Sequence, residues 1–300
     1  MSAFHAVSPS PHPLPAATRL GTVDLAVADL GIADFYTRVI GLELLKKTAA
    51  QASLGAGGRE LLRLSLKPGA KHYEHRTGLY HFCLAMPGRR DFGLLLKRIL
   101  DAQVPLQGLV DHHTAEAIYL PDPEGNGIEL NWDTPRETWP ESMSAMMRMG
   151  NGPLDSEGLL KLAAEKGPDT GRLPEDAFLG HIHLHVAKLQ ESRDFYHGLL
   201  GFDIMGEFPR QAVFVSAGGY HHHVAFNIWN GVGAPEPPDD AGGLRWFSVV
   251  LPDKKAVEAV LERARAAGQK PEAAEGGWLL RDPSQNGLIL KADFARVGST

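Results

Sequence analysis

The sequence predicts an α+β protein built from four βαβββ modules. Three observations carry this: an internal repeat, a strand–helix–strand order that recurs within each half, and a dense turn motif near the end of each half. In a chain of 300 residues, Asp34-Phe35-Tyr36 recurs as Asp194-Phe195-Tyr196, and Ile40-Gly41-Leu42 recurs as Leu200-Gly201-Phe202, both at an offset of 160. Gly78-Leu79 with Phe82 recurs as Gly243-Leu244 with Phe247 at an offset of 165. Asp122-Pro123 with Asn126-Gly127 recurs as Asp282-Pro283 with Asn286-Gly287, again at 160. Four matches in one order divide the chain into two homologous halves, 18–133 and 178–294. The modules span 18–76, 77–133, 178–240 and 241–294. Residues 134–177 read as a linker with a helix. Residues 1–17 read as a flexible tail, because Pro alternates with Ser, His and Leu over 8–15.

The elements follow in order. Residues 22–27 alternate and carry β-branched side chains, which predicts a strand. The pattern over 30–40 is helical and stops at Gly41, a suitable C-cap glycine. Segments 42–47 and 60–66 read as strands. Segment 80–86 opens the second module, followed by a helix over 91–102 and strands at 117–120 and 127–132. Between those strands, Asp122-Pro123-Glu124-Gly125-Asn126-Gly127 is dense in turn-forming residues. The second half repeats this order: a strand at 181–186, a helix at 192–200, strands near Val213 and Val224, a strand at 246–251, a helix at 254–267, and paired strands around Arg281-Asp282-Pro283.

Composition narrows the function classes. A single cysteine, Cys83, excludes an internal disulfide and a Cys-rich zinc cluster. The net charge of −6 does not invite a nucleic-acid partner. There is no run of about 20 apolar residues and no basic segment followed by an apolar one at the start, so neither a membrane span nor a secretory signal is expected. The default compartment is the cytoplasm. Homo-oligomer formation is compatible with the sequence but not specified by it.

The four modules, with their Asp-Phe-Tyr helices and the closing Asp-Pro-x-Gly-Asn-Gly-x-Glu turn, resemble the vicinal oxygen chelate superfamily of glyoxalases, fosfomycin-resistance proteins and type I extradiol dioxygenases. The runs Thr77-Gly78-Leu79-Tyr80-His81-Phe82, Gly180-His181-Ile182-His183-Leu184-His185-Val186 and Phe214 to His223 are similar to those of bacterial two-domain catechol 2,3-dioxygenases. The resemblance covers about residues 18–294 and implies two mixed-sheet open barrels. It speaks to fold more specifically than to reaction, since one fold hosts many chemistries.

That resemblance implies a metal site. The superfamily places a metal-binding His at the opening strand of a module, where His81 stands, and a Glu in the closing strand, where Glu129 stands. An acid flanked by Ile128 and Leu130 is costly to bury unless paired or metal-bound. The third ligand belongs on the first strand of another module. Module 1 has Thr22 at that position and module 3 has His181. Module 4 has Trp246 and Ile289 where module 2 has His81 and Glu129. Neither half therefore holds a full triad, but modules 2 and 3 together supply His81, Glu129 and His181. A shift of two residues in the alignment would exchange His181 for His183.

Two His and one carboxylate with open positions suit a non-haem Fe(II) oxygenase, and Mn(II) is compatible with the same donors. A glyoxalase-type isomerase would need a second carboxylate, and His221 to Asn227 contains none. The resemblance therefore implies an Fe(II)-dependent extradiol dioxygenase taking a catechol and O2. A glyoxalase-like isomerase or lyase and a non-catalytic binding protein are the alternatives. The same relatives carry a His beside the O2 site, matched here by His222 or its neighbour His223. They also carry a His and a Tyr beside the diol, matched by His112 or His113 and by Tyr119. His183 and His185 are expected to line the pocket. Trp132, Arg136, Trp139 and Trp229 are candidates for an aromatic-friendly pocket wall but read first as packing or surface residues, and His5, His12, His72 and His75 read as tail and loop residues.

Overall fold

The computed structural model describes residues 5–165, 167 and 169–293. Module 1 contains β1 (Arg19–Val27), β2 (Glu43–Lys47), β3 (Gln51–Ala56) and β4 (Arg59–Leu66); module 2 contains β5 (Gly78–Met86), β6 (Gly108–Asp111), β7 (Ala115–Pro121) and β8 (Gly127–Asp133). A short β9 (Gly152–Pro153) lies in the linker. Module 3 contains β10 (Phe178–His185), β11 (Asp203–Phe208), β12 (Ala212–Ser216) and β13 (Val224–Asn227). Module 4 contains β14 (Gly243–Leu251), β15 (Glu272–Ala274), β16 (Gly277–Arg281) and β17 (Gly287–Ala292). The sequence reading located β2 and β4 but not β3, and it also passed over β6, β11 and β15.

The strands form two mixed sheets that are not closed barrels, and each draws on both halves of the sequence. One runs β11-β12-β13-β10-β5-β8-β7-β6-β9 and the other β15-β16-β17-β14-β1-β4-β3-β2. The junctions are antiparallel, β10 against β5 and β1 against β14. Each of these four strands also has a parallel partner from its own module: β13, β8, β4 and β17 respectively. Modules 2 and 3 thus share one sheet, and modules 1 and 4 share the other.

The repeated motifs explain what binds the modules. The Tyr36 hydroxyl donates to Asp122 Oδ2 at 2.7 Å, and Tyr196 donates to Asp282 Oδ2 at 3.1 Å. Asp122 Oδ1 accepts the backbone N–H groups of Glu124 and Asn126, and Asp282 Oδ1 those of Ser284 and Asn286. All four side chains are buried. The sheets join module 1 to 4 and 2 to 3, while these contacts join 1 to 2 and 3 to 4. Both Asp-Phe-Tyr helices finish in a π-helical turn, Tyr36–Ile40 and Asp194–Leu200. Gly41 (φ 94°) and Gly201 (φ 106°) then cap them in the left-handed conformation that glycine adopts without a Cβ clash.

The helix Arg89–Asp101 buries Phe92, Leu95, Leu96 and Ile99, an i, i+3, i+4, i+7 stripe. Among its described residues the linker forms two α-helices. Ser156–Ala164 begins with Asp155 accepting from Gly158 N–H, and packs on the stripe helix where Leu159 approaches Gly93. Met143–Met149 lies over β11, where Met143 meets Gly206.

The expected flexible tail of residues 1–17 is a correction from residue 5 onward, residues 1–4 lying outside the described residues. Val7 N–H donates to Ile204 O at 2.8 Å, Ile204 N–H donates to Ser8 O at 2.9 Å, and Leu14 is buried. β11 is an outer strand, and Val7 and Ser8 supply partners for its Ile204 backbone groups. Among the described residues, no helix is long and apolar enough to cross a membrane.

Candidate metal centre and active site

Strands β8, β5 and β10 lie side by side, and Cys83 on β5 stands opposite both Glu129 and His181. Each outer strand therefore projects one side chain beside that of His81, two residues from Cys83. His81 Nε2 lies 3.1 Å and His181 Nε2 2.9 Å from Glu129 Oε2. The three candidate ligand atoms all fall within 4.8 Å of one another. None of these residues is more than 6% exposed. Residues 100 positions apart in sequence meet here because the sheet crosses between the halves.

Burial alone would push the Glu129 carboxyl up, but the facing His181 and His81 outweigh it and hold it well below the usual carboxylate range. Burial also lowers His181, against the upward pull of Glu129. His181 Nδ1 is buried with no hydrogen-bond partner among the described residues. No Lys or Arg among those residues forms an ion pair with Glu129. An ionised buried carboxylate facing imidazoles, without a basic side chain, is a donor set that a divalent cation stabilises.

A cavity of about 640 Å³ opens over this face. On one side, Tyr119 on β7 stands opposite Glu129 in the strand register. Burial and then the Glu129 charge raise the Tyr119 phenol well above its ordinary pKa, so it keeps its proton. Its oxygen lies 2.8 Å from His112 Nε2, and His112 Nδ1 lies 3.0 Å from Asn151 Oδ1. Between the two alternatives, His112 lines the cavity, while His113 (φ 64°) turns away and bonds Gly150 O at 2.9 Å.

The other side is formed by residues 217–223, which connect β12 and β13. His222 lines the cavity with its ring 4.1 Å from that of His181. His223 points elsewhere and bonds Ser216 Oγ at 2.8 Å. Behind His222 is a chain that the sequence reading missed. His221 Nε2 lies 3.2 Å from Asp133 Oδ1, and His221 Nδ1 lies 2.8 Å from His222 Nδ1. With Asp133 accepting, His221 Nε2–H donates and its Nδ1 accepts from His222 Nδ1–H. That tautomer leaves His222 Nε2 as an acceptor. Burial, then neighbouring His181 and His221, lower the His222 pKa well below the ordinary value.

His183 lines the cavity and bonds Asn227 at 2.9 Å, whereas His185 lines a separate cleft. Trp229, read from sequence as packing or surface, lines the cavity and stands 5.3 Å from the His183 ring. Trp139 is buried, and Arg136 lies 5.2 Å over its ring. The signal for His221 was the His221-His222-His223 run itself. The sequence offers Trp229 only as one of several aromatic candidates for a pocket wall, since it lies beyond the end of β13.

The fold and this site define the class. The family model described as the Glyoxalase/Bleomycin resistance protein/Dioxygenase superfamily matches residues 19–130 and 178–287, and the chain belongs to that superfamily. Within it, the chain is 42% identical over 277 residues to a catechol-2,3-dioxygenase of Bacillus subtilis (strain 168), covering 91% of this chain and 96% of that protein. Among solved structures, it is similar to a candidate dioxygenase of Bacillus subtilis at a TM-score of 0.64 and 14% identity, covering 94% of this chain and 86% of the other. Glyoxalase I of Zea mays matches at 0.56 and 18% identity, covering 91% and 92%. Both likenesses concern the fold.

Proposed function

We propose that this chain is an Fe(II)-dependent extradiol dioxygenase that opens the ring of a catechol with O2, giving a muconic-semialdehyde type product. The observation that carries this reading is the His81–Glu129–His181 triad set into a cavity with Tyr119 and His112 on one side and His222 on the other. The 42% identity to a protein named for the same reaction supports it. One ring C–C bond beside a hydroxyl-bearing carbon breaks, and both atoms of O2 enter the product.

His81, Glu129 and His181 hold the metal. When bound, Fe(II) supplies the electron-transfer chemistry that couples a catecholate to O2. Mn(II) suits the same donors. The protein's own groups do the rest. Tyr119 and His112 orient the diol, and His112 Nε2 receives or returns a proton through the Tyr119 hydroxyl. His222 Nε2, fixed as an acceptor by His221 and Asp133, serves proton transfer on the oxygen side. Phe214, Trp229 and the linker helix restrict water around the ring. Glu129 is the sole carboxylate among the described residues lining the cavity, so an isomerase that needs a second one is disfavoured.

The test is anaerobic purification with iron quantification, followed by O2 uptake and product absorbance with catechol on the same sample. About one iron per chain and stoichiometric O2 consumption are expected. Iron-loaded protein that consumes no O2 with any catechol overturns the proposal.

A further inference from the structure

We infer that the preferred diol carries an apolar, uncharged substituent on its ring, an alkyl or aryl group, and that the linker helix Met143–Met149 selects it. This rests on the dioxygenase reading above and names its substrate class. Three observations lead to it. A cavity of about 640 Å³ falls in the roughly 300–1,000 Å³ range that buries ligands of drug size, far more than one ring with two hydroxyls needs. Beyond the ligands and the acid–base groups, its largest wall residues are methionine and aromatic, Met143, Met146, Met147, Phe208, Phe214 and Trp229, while Gln107, Thr114 and Asn151 add polar side chains without charge. No Lys or Arg is among the described residues lining it, so a carboxylate-bearing substituent would enter without a cationic partner.

The methionines are held in place. Met143 packs with Trp139 and Met205 in a cluster separate from the main core, with Met146, Met147 and Phe214 against it. The Thr114 hydroxyl donates to Met146 Sδ at 3.5 Å. Ser142 caps the helix, and His5 N–H donates to Glu141 O just before it. A thioether side chain is apolar, polarizable and adaptable, and it makes favourable contacts with aromatic rings. This wall accepts apolar groups of varied shape and disfavours charge.

The experiment compares catechol, 3-methylcatechol, 2,3-dihydroxybiphenyl and 2,3-dihydroxybenzoate. It measures kcat/KM on iron-loaded enzyme and, separately, Kd by anaerobic calorimetry. The aryl diol should bind on the order of tenfold tighter than catechol, and the carboxylated diol weakest. Met146→Ala and Met147→Ala should each reduce the aryl-to-catechol ratio of affinities. Met147→Lys should shift preference towards 2,3-dihydroxybenzoate. Equal affinities for aryl and carboxylated diols, or ratios untouched by all three variants, overturn the inference. The binding arm separates the two readings: tight, methionine-dependent aryl binding without O2 uptake sinks the dioxygenase activity and leaves the pocket assignment standing.

Discussion

The two sheets are built from the same kind of module, yet among the described residues one holds a candidate metal centre and the other holds none. At the positions of His181, His81 and Glu129, the eight-stranded sheet has Thr22, Trp246 and Ile289. Thr22 Oγ1 donates to Glu60 O, Trp246 lies under the Arg63 guanidinium at 5.2 Å, and Ile289 is fully buried. The His183–Asn227 pair has its counterpart in Asp24 and Ser65, 2.8 Å apart. The strands β3 and β4 are joined by Gly57 and Gly58 alone, both with positive φ, whereas residues 217–223 bridge β12 and β13 and carry the His run. The linker strand β9 and the N-terminal segment also pair with the nine-stranded sheet. What recurs in both halves, Tyr36–Asp122 and Tyr196–Asp282, makes the frame. What breaks the repeat makes the site.

Substituting the triad gives the largest expected effect. Glu129→Ala and His81→Ala should remove bound iron and turnover together, read by metal analysis and O2 uptake. The matched change Ile289→Ala should leave the metal in place and cost about 2–5 kcal/mol of stability, as core truncations do. Full iron in Glu129→Ala would show that the two sheets do not differ in the way proposed.

The residues 217–223 come next. His222→Phe should keep the metal and the diol affinity while slowing the oxygen-dependent steps by about 10²–10⁴-fold. Asp133→Asn, which reaches His222 through His221 and also alters the acceptor of the Tyr220 hydroxyl, should slow them less and shift the pH profile. Wild-type single-turnover rates in His222→Phe would take this loop out of the chemistry.

Much of the frame was legible because recurrence at an offset of 160 marks the fold whatever the local propensity. Three of the missed strands have physical causes. β6 is half-buried throughout, and β15 has only three residues and little burial, so neither shows a clear alternation. β11 is interrupted by Gly206, which makes room for Met143 rather than filling a strand face. The triad could be read by comparing modules, since each of its positions has a counterpart that cannot bind metal. The Asp133–His221–His222 chain and the methionine wall could not. Both depend in part on segments without a repeat partner, the 217–223 loop and the linker helix, and their side chains converge only through tertiary packing. The free tail was misread because its composition suggests disorder, while an unpaired strand edge decides its structure.

The eight-stranded sheet should show a pH dependence of its own. Burial pushes the Asp24 carboxyl up to about 6, against the pull of Arg245, the Ser65 hydroxyl and Arg63. An unfolded Asp titrates near 3.8, so between those values the folded protein holds a proton that the unfolded chain has released. This stabilising contribution is fully present below pH 3.8 and is lost as the pH rises through about 6. At about 1.4 kcal/mol per tenfold change in proton affinity, it amounts to on the order of 3 kcal/mol. Denaturation of wild type and Asp24→Asn should therefore diverge across that window. Parallel curves would mean that Arg245 and Ser65 keep Asp24 ionised throughout.

The smallest expected effect probes the frame that both halves share. Tyr36→Phe and Tyr196→Phe each remove one hydroxyl from a buried carboxylate that still accepts from two backbone N–H groups and an Asn side chain. Losing one donor to a buried acceptor costs about 1–3 kcal/mol, so chemical denaturation should give two similar losses. Their effects on metal should differ. Asp122 organises the turn that leads into β8 and hence to Glu129, whereas Asp282 organises the turn into β17, where Ile289 occupies the matching position. Tyr36→Phe should weaken iron retention under chelator challenge severalfold, and Tyr196→Phe should not. Equal retention in both would show that the Asp122 turn holds the fold without tuning the position of Glu129. Unequal stability losses would break the equivalence of the two halves at the one contact that the repeat reproduces most faithfully.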